Sequence, residues 1–156
     1  MDSLIDRLTQ KYRQITKRWL DAVSQLTEEE LYWRPTPESN SIANLMLHVA
    51  GNVHQRIEAE IQGLPDHRDR DGEFRPDIPY TREELIEKFQ WAMDLITRTA
   101  EGLSEEDLHR TMRSQGRDQS YLHFFLQSTN HFSEHLGQVL YIAKMKRGRD
   151  YRSTSI

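Results

Sequence analysis

Apolar positions recur along this chain in steps of three and four. Ile5, Leu8, Tyr12, Ile15, Trp19, Ala22 and Leu26 keep one face of a 3.6-residue helix apolar, which predicts an amphipathic helix packed in a bundle. A second helix is predicted from the Ser39-Asn40-Ser41 cluster to Gly63, with Ile42, Leu45, Val49, Val53 and Ile57 facing inward. The short polar side chains at its start are N-cap residues. A third opens at Thr81, where Glu84 three residues on completes a capping box. It carries Leu85, Phe89, Met93, Ile96 and Ala100 inward and stops near Gly102. A fourth runs from about Gln119 to Lys146 and is ended by Gly148. No convincing strand run stands out, so the expected fold class is all-α, a four-helix bundle formed by residues 1–156 as a single domain.

Two further patterns refine this picture. LTEEEL at 26–31 and LSEEDL at 103–108 repeat one motif after helices one and three, with Thr27 and Ser104 as N-caps of short extra turns. The repeat is either a chance recurrence of a capping sequence or the mark of two related helix hairpins, with helices two and four as counterparts. The connection 63–80, with Pro65, Gly72, Pro76 and Pro79, is unusually long for a compact domain. Helix two, at roughly 24 residues, spans about 36 Å, and eighteen extended residues reach up to roughly 60 Å. Such a loop can travel the bundle's length and let helix three run parallel to helix two, an up-down-down-up order.

Composition removes several classes of function. The net charge of −4 and pI near 6.0 provide no basic field for nucleic acid or an anionic membrane. RDRDGEFR at 68–75 interleaves both signs and reads as a solvated loop. With no cysteine there is no disulfide, no thiolate nucleophile and no Cys-type zinc site. The start, MDSLIDRLTQKYRQ, lacks the apolar core of a signal peptide, and no apolar run approaches the ~20 residues of a membrane span. These features together predict a cytoplasmic protein.

Candidate chemistry lies in NHFSEHLGQ at 130–138. The inward stripe of helix four passes through Phe124 or Phe125, Ser128, His131, Phe132, His135, Gln138 or Val139, Ile142 and Met145. His131 and His135 therefore sit at the seam facing the interior, where unpaired imidazoles are costly and need partners. Their i, i+4 spacing puts both rings on one face, suited to two ligands on one ion. The bare spacing is weak evidence, since seven histidines in 156 residues give roughly 0.3 such pairs by chance. A third ligand must come from another helix, and His48, on the inner half of helix two, is the candidate. Counted at about 1.5 Å per residue, it reaches the pair's level whether helices two and four run parallel or antiparallel. His54 is expected at the rim, His123 is too far along the axis to share the ion, and His67 and His109 belong to loops.

LMLHVAGN at 45–52 and NHFSEHLGQVLYIAK at 130–144 resemble the DinB superfamily of metal-binding four-helix bundles, which includes the YfiT-like proteins. NSIANLMLHVAGN, GLPDHRDRDGEF and EHLGQ are similar to an uncharacterised branch of it. The resemblance covers nearly the whole chain. It implies the up-down-down-up order and a three-histidine metal site at His48, His131 and His135; three histidines with open positions suit zinc or nickel first, and iron or cobalt as well. Its characterised relatives include thiol-dependent S-transferases and a mycothiol-dependent isomerase, and others are described as metal-dependent hydrolases. Related sequences usually carry a longer tail than RGRDYRSTSI, and a tail that closed the pocket would leave this site incomplete.

Three neutral imidazoles would leave a divalent ion with open positions, where a water or a thiolate could bind. The expected function is therefore that of a metal-dependent enzyme of S-transferase or hydrolase type. Its partner would be a small molecule, such as a low-molecular-weight thiol, and the chain a homodimer without nucleic-acid or membrane partners. The alternative is a non-catalytic stress-related or ligand-binding bundle with a structural or incidental metal. Asn52, Ser128, Asn130 and Gln138 are candidates to bond the outer imidazole nitrogens. Glu134, between the ligands but off their face, is either a surface residue or a further partner. Arg34, Arg113 and Arg117 are the cations available to an anionic substrate.

Overall fold

The computed structural model describes residues 2–155. Four long helices form the bundle: α1 (Leu4–Val23), α3 (Ile42–Val53, continued by π-helical turns over His54–Ile61), α5 (Arg82–Glu101) and α6 (Tyr121–Arg147). Two short helices lie between them, α2 (Glu28–Tyr32) and α4 (Arg70–Glu73). The starts follow the capping chemistry. Ser41 accepts from Asn44 N–H, Thr81 from Glu84 N–H and Thr27 from Glu30 N–H, and each partner side chain bonds back to the cap's backbone. Ser104 and Asp107 exchange the same pair of bonds, but that segment closes only a 3₁₀ turn at Asp107–His109. The repeated motif thus caps a true helix once and a single tight turn the second time.

Pairwise contacts set the direction of every long helix. Trp19 of α1 stacks against Phe89 early in α5, at 4.5 Å between rings, while Arg13 pairs with Glu101 at its end, so α1 and α5 are antiparallel. Tyr12 packs on Phe125 and Phe132 of α6, and Gln25 just beyond α1 bonds Arg152 just beyond α6, so these two run parallel. His48 meets His131, whereas Arg56, further along, reaches Ser114 ahead of α6, making that pair antiparallel. The order is therefore up-down-down-up, as the long connection suggested.

The predicted core stripes of the first three long helices are buried, with Ile5 half-buried at the start of α1. Burying each large apolar side chain contributes about 1.5–3 kcal/mol. Met145 departs from expectation. It is exposed, because the α6 stripe shifts to Ile142 and Ala143 as the bundle ends. Helix two is not α-helical to Gly63 but changes to π turns at His54. Such turns are rare and are frequently found at functional sites.

The all-α expectation also misses one hairpin. β1 (Thr111–Ser114) pairs antiparallel with β2 (Arg117–Ser120) in the register Thr111↔Ser120 to Ser114↔Arg117. Gln115 and Gly116 form the two-residue connection with φ of 51° and 74°, the left-handed pair that a type I′ turn requires. Its strands carry a single large apolar residue, Met112, which is why no alternating pattern announced them.

Candidate metal centre

His48 comes from the middle of α3, and His131 and His135 come from successive turns of α6. The antiparallel packing of these helices brings the three rings together. His131 Nε2 lies 3.1 Å from His48 Nε2 and 2.9 Å from His135 Nε2. One ligand nitrogen from each ring falls within 4.8 Å of the others. His48 is buried, and the other two are half-buried.

The outer nitrogens decide which atoms face inward. His48 Nδ1 is 2.9 Å from Glu73 Oε2. Two acceptors at that distance would repel, so the proton sits on Nδ1, which donates to the carboxylate. His135 Nδ1 likewise donates to Gln138 Oε1 at 2.7 Å. Both rings then present an Nε2 lone pair to His131 Nε2. One nitrogen can donate a proton to only one of two lone pairs, so hydrogen bonding alone leaves the cluster frustrated. A single cation satisfies all three, and nitrogens bound at about 2.0–2.1 Å to one ion lie roughly 3 Å apart. The donor set therefore fits a divalent transition metal. Protonation does not compete at neutral pH: burial, then the neighbouring imidazoles, lowers the pKa of His131 to about 4. Burial lowers that of His135 as well.

Glu73 is held by its own partners. Arg68 bridges it with Nε to Oε1 at 2.7 Å and Nη2 to Oε2 at 3.0 Å. Burial by itself would raise the Glu73 carboxyl, but the bonds from His48 and Arg68 outweigh it and hold the group below its ordinary value. Both side chains are 6% exposed. The carboxylate fits because residue 51 is glycine: a Cβ there would lie 1.9 Å from Glu73 Oε1. The loop carrying Glu73 is tied down by Asn44, whose Nδ2 donates to Glu73 O and Arg75 O, each at 2.8 Å. Arg34 donates to Phe74 O at 2.6 Å, and the Phe74 ring packs 5.0 Å from that of His48.

Several sequence expectations are corrected here. RDRDGEFR is solvated only in part: Asp69, Arg70, Asp71 and Arg75 are exposed, but the side chains of Arg68 and Glu73 are buried against the first histidine. Arg34 is committed to the loop backbone and to Asn44. Arg113 pairs with Asp118 across the exposed hairpin. Of the proposed imidazole partners Gln138 bonds His135, whereas Ser128 bonds the Phe124 carbonyl one turn back. Asn52, Asn130 and Glu134 line a neighbouring cleft. His54 is half-buried and bonds Glu58 and the His67 backbone, and His67, His109 and His123 are exposed. Glu73 lies 25 residues from His48, beyond any helical spacing. The legible signal for it was Gly51, a small residue one turn after a candidate ligand.

The fold and the cluster together define a DinB-like four-helix bundle with a three-histidine cluster. Over residues 1–156 the chain matches the model of the family described as "Protein of unknown function (DUF1572)", within the DinB-like superfamily, and it belongs to that family. A conserved protein from Enterococcus faecalis has a similar crystal structure, with 16% identity and a TM-score of 0.74 over 96% of this chain and 100% of that one. A DinB-like protein from Bacillus cereus ATCC 10987 is similar at 15% identity and a TM-score of 0.69, over 89% and 90% of the two chains. At these identities the likeness concerns the fold. Comparison with curated proteins gives no match. Among the described residues no helix is long and apolar enough to cross a membrane.

Proposed function

We propose that this chain is a metal-dependent enzyme in which His48, His131 and His135 hold one divalent transition ion, zinc or nickel before iron or cobalt, and that it acts on a small molecule by thiol S-transfer or hydrolysis. The observation that carries this reading is the convergence of three Nε2 atoms, two of them with their lone pairs directed inward by Glu73 and Gln138. Three neutral ligands leave open coordination positions, the pattern of catalytic and not of closed structural sites. When bound, such an ion lowers the pKa of a ligated water or thiol and makes it a nucleophile near neutral pH. Glu73 keeps His48 in the ligating tautomer, and Arg68 keeps Glu73 ionised.

Elemental analysis of untagged protein loaded with Zn²⁺ or Ni²⁺ tests the base of this reading. About one equivalent is expected, and under about a tenth would sink it. His131→Ala should abolish binding. Turnover of thiol or ester substrates by the loaded wild type would then favour an enzyme. A sharp loss of melting temperature in His131→Ala with no turnover would favour a structural metal instead.

A further inference from the structure

A cleft of about 430 Å³ lies beside the histidine cluster, between the π turns of α3, the hairpin and the first turns of α6. His131 forms part of its wall, with Asn52, Gln127 and Ser128 around it and Arg56 beneath. Arg56 is 8% exposed, an unusual place for a guanidinium. Among the described residues its hydrogen bonds all run through one nitrogen: Nη1 donates to Ser114 Oγ at 2.8 Å and to both Glu60 oxygens at 3.3 Å. Nε and Nη2, the other edge of the fork, have no such bond, yet they are not sealed from solvent as buried unpaired atoms would be. That edge is the one that matches two oxygens of a carboxylate or phosphate.

We infer that the substrate of the histidine centre carries an oxyanion, received side-on by Arg56 Nε and Nη2 while its reacting atom sits at the ion. This rests on the metal reading above. Glu60 does not fill the fork. It meets a single nitrogen, and it is shared with the Ser114 hydroxyl and the Gln115 N–H. Its charge offsets the cost of burying Arg56 and leaves the two outer donors directional. Arg56 is within range of the centre, since it and His131 line the same cleft. Glu134, the one carboxylate among the residues lining the cleft, is exposed to solvent, which screens its charge. Arg56 lies eight residues beyond His48, up to about 12 Å along the axis. That axial offset leaves room for the anion and the reacting atom to be several bonds apart.

Co²⁺-loaded protein, titrated with ω-mercaptoalkanoates of increasing chain length and with the matching mercaptoalkanols, tests this through thiolate-to-cobalt absorption. At an intermediate length the carboxylated thiol is expected to bind at least ~10-fold more tightly than the alcohol. Arg56→Met should erase that preference, while Arg56→Lys should retain part of it, having the charge without the fork. Glu60→Gln, which removes the competing carboxylate, should enlarge it, and this variant serves if Arg56→Met does not fold. Equal affinities in wild type, or a preference that survives Arg56→Met or is unchanged by Glu60→Gln, would overturn the inference with the metal reading intact. Absence of cobalt uptake would overturn both, whereas cobalt uptake with no thiolate band at any chain length would overturn the inference alone.

Discussion

The carboxylate of Glu73 lies 2.9 Å from His48 Nδ1, on the side of the ring opposite the nitrogen that joins the histidine cluster. One residue thus links the loop between α3 and α5 to the centre of the bundle. Replacing it tests both roles. Glu73→Leu is expected to weaken Zn²⁺ binding about 10–100-fold and to cost about 3–5 kcal/mol, because Arg68 is left buried without its counter-charge. Glu73→Gln, whose amide oxygen still accepts from Nδ1–H, should lose less of both. Chelator competition and urea unfolding measure the two effects.

Gly51→Ala places a methyl 1.9 Å from Glu73 Oε1 and 2.9 Å from its Cδ. On helix propensity alone the change would stabilise by up to about 1 kcal/mol. The carboxylate is locked by Arg68 and His48 and cannot move without breaking those bonds, so a net loss of about 1–3 kcal/mol is expected. Urea unfolding checks its sign. Zn²⁺ affinity should fall with it, although Gly51 is not a ligand.

Asn44 spends its whole amide on two tasks. Its Oδ1 accepts from Ser41 and Arg34, and its Nδ2 donates to two carbonyls of the loop. Asn44→Ala removes the return bond of the α3 capping box, leaving the Ser41 cap itself in place, and leaves the buried Glu73 carbonyl unpaired, the latter worth about 1–3 kcal/mol. Amide hydrogen exchange across 66–75 is expected to accelerate in this variant more than exchange in the middle of α5.

In the metal-free protein the pKa of His131 is about 4, and that of His135 is also lowered, in both cases chiefly by burial. Such groups bind more protons in the unfolded chain, so stability rises with pH across the interval between the folded and unfolded values. Stability should be level above about pH 6.5 and fall as pH drops toward 4. Urea midpoints of the metal-free protein across that range check this, and His131→Phe should show a shallower slope.

The bundle and two-thirds of the cluster were legible because they are local. Capping boxes at Thr27, Ser41 and Thr81 depend on residues three apart, and the core stripes depend on the helical period, so both can be read along the chain. His131 and His135 share a face for the same reason. His48 could be proposed only as a candidate, since two topologies put it at a reachable depth.

The antiparallel packing of α3 on α6 settled that choice, because a single three-dimensional arrangement brings the Nε2 atoms together. Only tertiary structure could turn RDRDGEFR from apparent solvated charge into a buried Arg68–Glu73 pair, since the loop's burial depends on Gly51, Asn44 and Arg34 from elsewhere in the chain. The same holds for Arg56, which reads as one more helical arginine until the hairpin, itself nearly silent in sequence, closes over it. Periodicity and capping are nearest-neighbour properties, so the sequence alone determined the helices, their inward faces and the paired histidines. The environment of each charge is a property of what packs around it, and that was decided by the fold.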